Sequence, residues 1–137
     1  MKKHVLSFVV LAAAAALLVA ACGSSGSGSS GEVSAEAQKY ASLTGDPAKG
    51  KGNFEATCAS CHGPDAKGIS GLGKDLTTSE FAKGKSDADL ILFLTQGRPA
   101  SDSLNTTGVD MPPRGGNPAL KDQDLADIVA YVRTLEK

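Results

Sequence analysis

Five consecutive residues, Cys58-Ala59-Ser60-Cys61-His62, constrain this chain more than any other feature. On a helical turn, thiols three positions apart lie on one side, and the imidazole follows directly. Two thiols so placed each add to one vinyl group of a haem, while His62 reaches the iron from below the macrocycle. The C-x-x-C-H run is the attachment signal of a c-type haem, and histidine is an ordinary axial ligand of haem iron. A C-x-x-C pair also serves as a redox dithiol or as half of a zinc site. The dithiol wants a βαβ pattern around it, and no alternating apolar strands flank this one. A structural zinc site needs four N or S ligands. With Cys22 used elsewhere, the chain offers Cys58, Cys61 and His62.

Cys22 has its own context. Lys2, Lys3 and His4 open the chain, and residues 5–21 are apolar but for Ser7. Small residues, Val19-Ala20-Ala21, stand directly before the cysteine. This is the shape of a secretory signal peptide, short for a transmembrane span, and it resembles the bacterial lipobox, whose cysteine becomes the lipidated first residue. An uncleaved anchor and an ordinary small-residue cleavage site are the alternatives. Export suits covalent haem attachment, which in bacteria takes place outside the inner membrane. With one cysteine for lipid and two for haem, none is left for a disulfide. The expected organisation is a leader over 1–21, lipidated Cys22 with a flexible tether over 22–45, and a globular domain over 46–137.

The stretch after Cys22, Gly23-Ser24-Ser25-Gly26-Ser27-Gly28-Ser29-Ser30-Gly31, cannot bury a core and behaves as flexible coil. If wholly flexible, residues 23–45 span about 25–30 Å root-mean-square. Residues 32–41, richer in Ala, Glu and Lys, suit a short extra helix. Losing Lys2 and Lys3 with the leader takes the formal net charge from −1 to −3. That balance gives no support for nucleic-acid binding.

The domain that remains is small, with a modest apolar core. The chain has no Trp, two Tyr and four Phe, so a buried haem would supply much of the missing apolar surface. Three segments read as helices, and none as a strand. Asp46-Pro47 is an N-cap followed by proline at the first helical position, and this helix runs towards Cys58 with Gly50 and Phe54 on one face. Ser86-Asp87-Ala88-Asp89 resembles a capping box with Asp in place of Glu; Leu90, Phe93 and Leu94 follow, and Gly97 is the C′ stop. The third helix covers 122–136, with Leu125, Ile128, Val129, Val132 and Leu135 as its apolar stripe.

Met111-Pro112-Pro113 lies in the glycine- and proline-rich loop between the last two helices. Once the leader is gone Met111 is the sole methionine, placed in a polar loop where two prolines stiffen the backbone. An ordinary packing role is the alternative to iron ligation, but a thioether here closes the second axial position, and His/Met is the usual cytochrome c pair. Two strong ligands leave no place for oxygen, peroxide or substrate, which points to electron transfer and away from an enzyme.

On these residues the chain resembles the class I cytochrome c family over residues 46–137. The resemblance implies an all-α cytochrome c fold, three main helices around one covalently attached haem c, with crossing N- and C-terminal helices. It matches Gly50 and Phe54 with Ile128 and Tyr131 at that crossing, Cys58 and Cys61 with the attaching cysteines, and His62 and Met111 with the axial pair. Gly73-Lys74-Asp75-Leu76 is similar to the family's Gly-Pro-Asn-Leu segment, whose proline carbonyl accepts a bond from the axial histidine; Lys74 replaces that proline. The tryptophan that some members place near a propionate is missing, with Arg98 or a polar group of the loop 101–107 as its substitute. The lysines within 67–85 read as a scattered solvated surface. The function expected is a monomeric, lipid-anchored monohaem carrier on the periplasmic or extracellular side of a bacterial membrane, passing single electrons between respiratory or photosynthetic redox proteins. A fixed haem subunit of an oxidase, dehydrogenase or reductase complex is the alternative.

Overall fold

Asp46 begins the first helix by capping it. Its carboxylate accepts from the N–H groups of Ala48 and Lys49 at 2.9 and 3.3 Å, satisfying donors that the first turn otherwise leaves without partners. In the computed structural model, which describes residues 32–137, this helix is α1 (Pro47–Thr57). A single turn, α2 (Ala59–His62), follows Cys58, and α3 (Glu80–Lys83) is another single turn. The longer α4 (Asp87–Gln96) and α5 (Asp122–Leu135) complete the set. Among the described residues there is no strand, only two isolated bridges, so the fold is all-α.

Each expected boundary has a physical cause. Ser86 Oγ accepts from Asp89 N–H at 3.1 Å and donates to the Asp89 carboxylate at 2.5 Å, closing the box that opens α4. Gly97 stops α4 at φ 70°, a conformation that costs glycine nothing. Asp124 reaches back to accept from Lys121 N–H at 2.7 Å, starting α5 without a hydroxyl or amide cap.

The core lies where α1 packs on α5. Phe54 is fully buried against Ile128 and the Tyr131 ring, 5.5 Å between centroids. Gly50 permits this approach, because a Cβ there would overlap the Asp127 carbonyl of α5. Asp127 is itself buried, its carboxylate accepting from Asp46 N–H at 2.8 Å and Gln123 Nε2 at 3.0 Å. This polar tie between the start of α1 and the middle of α5 went unread in the sequence.

The tether expected over 22–45 needs correction in its described part. Residues 35–40 form a 3-10 turn, Ala35–Tyr40, whose Ala37 and Tyr40 are buried. Val33 and Leu43 pack beside them, and the turn lies against α4. Ser34 Oγ donates to the Asp89 carboxylate at 2.5 Å, pinning the start of this strap. Burying one aromatic offsets the entropy of ordering a few residues, and the short extra helix expected within 32–41 is present as this 3-10 segment. The expected leader, Cys22 and the Gly/Ser run lie outside the described residues.

Candidate haem site

The site begins where α1 ends. Cys58 N–H donates to Phe54 O at 2.8 Å, and α2 then winds one further turn, with His62 N–H donating to Cys58 O at 2.9 Å. The helical geometry carries Cys58, Cys61 and His62 round into one cleft, each half-buried. Both thiols are free of disulfide bonds. Before haem is attached, burial, and secondarily the neighbouring Cys61, push the Cys58 thiol up to about 11.

The loop after His62 folds back against the motif. Gly68 N–H donates to His62 O at 2.7 Å, and Ile69 and Gly73 pair across an antiparallel bridge. Gly73 lies so close to the Cys61 carbonyl that a Cβ has no room. That contact sets the next carbonyl, Lys74 O, 2.8 Å from His62 Nδ1. A carbonyl can only accept, so Nδ1 carries the hydrogen and Nε2 is left with its lone pair. The bond expected despite the loss of proline is therefore present, because the backbone oxygen, not the ring, makes it.

Met111 comes from the other wall. Directly after the Gly97 stop, Arg98 and Met111 exchange both backbone bonds, at 2.7 and 2.8 Å. Beyond the prolines, Arg114 adopts φ 55°, uncommon for a side chain with a Cβ. Its guanidinium donates to Leu120 O at 2.8 Å and to Asp122 at 2.7 Å, tying the loop to the head of α5. Met111 is thus held on both sides of its position in sequence.

Two adjoining cavities, with about 860 and 580 Å³ of open space, share Cys58, His62, Phe93, Leu94, Met111 and Ile128 as walls. The walls are mainly apolar, and the shared residues make the two one continuous cleft. Arg98 lines the same cleft, its guanidinium 4.3 Å from the Phe81 ring centre and 4.8 Å from that of Phe93. Its Nε is buried without a hydrogen-bond partner among the described residues; the nearest carboxylate, of Asp102, is 3.5 Å away in poor geometry. An apolar slot with two thiols, one imidazole with a free Nε2, a thioether and an arginine whose buried Nε makes no hydrogen bond among the described residues fits an iron porphyrin bearing carboxylates.

The sequence pattern of the Cytochrome c family matches residues 47–136. The chain belongs to the cytochrome c family. As a cytochrome c it is an electron-transfer protein and carries covalently bound haem c. It is 33% identical over 96 residues to cytochrome c-555 of Prosthecochloris aestuarii, covering 64% of this chain and 85% of that protein. It is also 32% identical over 88 residues to cytochrome c-555 of Chlorobaculum thiosulfatiphilum, covering 64% and 93%. No solved structure gives a significant match.

This cytochrome also has residues around its cleft that the sequence reading passed over. Arg114 carries no motif, since its role depends on a left-handed backbone. Asn105 falls in the loop 101–107 already offered as a substitute for the missing tryptophan, but its loop-closing role was missed, although Asn105-Thr106-Thr107-Gly108 is a pattern of side-chain-closed turns.

Proposed function

We propose that this cytochrome c is a lipid-anchored, monohaem electron shuttle working outside the cytoplasmic membrane, and not an enzyme. Cys58 and Cys61 would hold the haem as thioethers, and His62 and Met111 would ligate its iron. Bound haem supplies a one-electron iron couple. The observation that carries this reading is that both thiols, His62 and Met111 wall one cleft, with His62 Nδ1 committed to Lys74 O.

The residues divide the work. The bond to Lys74 O fixes the His62 ring and raises its basicity, as partners of a ligand do. The Met111 thioether favours the reduced iron and raises the potential. With both faces closed, no position remains for oxygen or peroxide. Phe93, Leu94 and Ile128 exclude water, so the site rearranges little between charge states.

Lipidation is assigned to Cys22, after Val19-Ala20-Ala21, with removal of residues 1–21. Among the described residues no helix is long and apolar enough to cross a membrane; the reading of an anchor rests on the residues that lead up to Cys22. The stretches that match the two c-555 relatives cover 85% and 93% of those proteins. That coverage supports a monomeric carrier exchanging electrons with separate redox proteins, on the periplasmic or extracellular side.

Redox titration of the holoprotein with its optical spectrum tests the site. Wild type is expected to be low-spin and to bind no carbon monoxide when reduced. Met111→Ala is expected to lose the methionine–iron charge-transfer band and to bind carbon monoxide. A wild-type iron that is high-spin and open to ligands overturns the assignment. Cys22→Ala moves the protein from membrane to soluble fraction; unchanged membrane association refutes the anchor.

A further inference from the structure

Between Arg98 and Met111 the chain makes an excursion over residues 99–110 that has no helix or strand of its own. Its apolar side chains do not hold it down: Leu104 is 62% exposed and Val109 37%. One side chain organises it instead. Asn105 Nδ2 donates to Pro99 O at 3.2 Å and to Val109 O at 2.8 Å, joining the two ends of the loop. Asn105 Oδ1 accepts from Thr107 N–H at 3.0 Å, from Thr107 Oγ1 at 3.1 Å and from Gly108 N–H at 3.0 Å. Nearer the base, the Asp110 carboxylate accepts from Ala100 N–H at 2.5 Å. Below it is the Arg98–Met111 backbone pair. The loop also walls the cleft, through Leu104, Asn105 and Val109 among others.

We propose that Asn105 is a positioning residue for Met111: by knotting residues 99–110 into a closed loop, it sets how much of the time the thioether stays at the cleft. The proposal rests on Met111 being an axial ligand. The reasoning is one of constraint. Downstream, Arg114 ties the loop to α5 and the prolines stiffen it; upstream, the two residues before Met111 are restrained through Asn105 and Asp110. Without the Asn105 amide, the strand side of the loop keeps its backbone pair with Arg98 but loses the cross-loop bonds next to it. Fraying then reaches Met111 from one side. A state with the sulfur withdrawn, rare in wild type, becomes more populated, and an external ligand binds in proportion to that population.

The test uses the full-length holoprotein and imidazole as the probe. Asn105→Ala is expected to bind imidazole at the oxidised iron about tenfold more tightly than wild type. It is also expected to lose the methionine–iron band on heating well before the helices melt. Asn105→Asp keeps the accepting oxygen but cannot donate to Pro99 and Val109, and should fall between the two. If Asn105→Ala does not yield folded holoprotein, Asn105→Asp decides alone. Ser34→Ala weakens a remote contact and should leave imidazole binding unchanged even where the melting temperature drops. The proposal is overturned if the Asn105 variants bind imidazole as wild type does, or if Ser34→Ala tightens it equally. Failure of the axial assignment looks different: Met111→Ala would then keep the wild-type spectrum.

Discussion

Asp127 shows how much one buried atom can decide. A single carboxylate oxygen accepts from Asp46 N–H and from Gln123 Nε2, inside an interface that is otherwise apolar. Asp127→Ala strands the Asp46 donor at the head of α1, and leaving such a group unsatisfied costs about 1–3 kcal/mol. Asp127→Asn retains an oxygen in the same place, so its cost should stay below about 1 kcal/mol, the difference between charged and neutral acceptors. Denaturant midpoints of the two variants measure this directly; equal losses would show that charge, not the acceptor, is what matters. The same logic runs through the cleft. His62 is oriented by a backbone oxygen, so Lys74 serves where proline stood, while Arg98 Nε, 3.5 Å from the Asp102 carboxylate, makes no hydrogen bond among the described residues.

Among the elements, the packing of α1 on α5 turns on where glycine sits. A Cβ on Gly50 would run into the Asp127 carbonyl, whereas one on Gly52 meets nothing within 4 Å. Alanine is better than glycine in a helix by about 0.5–1 kcal/mol. Gly52→Ala should therefore stabilise by about that amount. At Gly50 the same gain is outweighed by overpacking of about 1–3 kcal/mol, and since backbone is struck, the whole helix has to move. Unfolding curves with opposite shifts from two glycines of one helix bear this out; parallel shifts would refute it. The crossing was expected from the family resemblance at Gly50, Phe54, Ile128 and Tyr131; spacing made legible the face shared by Gly50 and Phe54 and the apolar stripe of the last helix, and the caps at Asp46 and Ser86 marked two helix starts. The C-x-x-C-H turn and Met111 were legible because their chemistry is carried by few residue types. Arg114 was not, because a left-handed φ leaves no mark in residue type; the short helix within 32–41 was legible from its composition, but not its docking on α4, because six residues are too few for an apolar period.

For the molecule as a whole, that strap changes how far the domain stands from any anchor. With residues 33–43 docked, only ten residues, 23–32, separate Cys22 from the strap. Two things hold the strap: burial of Tyr40 and Ala37, and the bonds from Ser34 to Asp89. The hydrogen bonds of Ser34, then of Ser86, hold the Asp89 carboxyl below its ordinary value of 3.8. A depressed carboxyl contributes stability that is present above its unfolded pKa and fades as pH falls through the folded one. The polar half of the latch is thus complete at neutral pH and weakens only below about pH 4. Tyr40 is the larger share, worth about 1.5–3 kcal/mol, so acid alone loosens the strap without freeing it. Cleavage after Lys39 by a protease specific for basic residues reports the open fraction at neutral pH. Tyr40→Ala should raise that cleavage about ten- to a hundredfold, and Ser34→Ala by less. Hydrogen exchange of residues 33–43, followed from pH 5 to pH 3, should gain an acid-dependent component in wild type that Ser34→Ala reduces. Cleavage as slow in Tyr40→Ala as in wild type would mean the strap is held by something other than its aromatic, and the shortened reach would lose its cause.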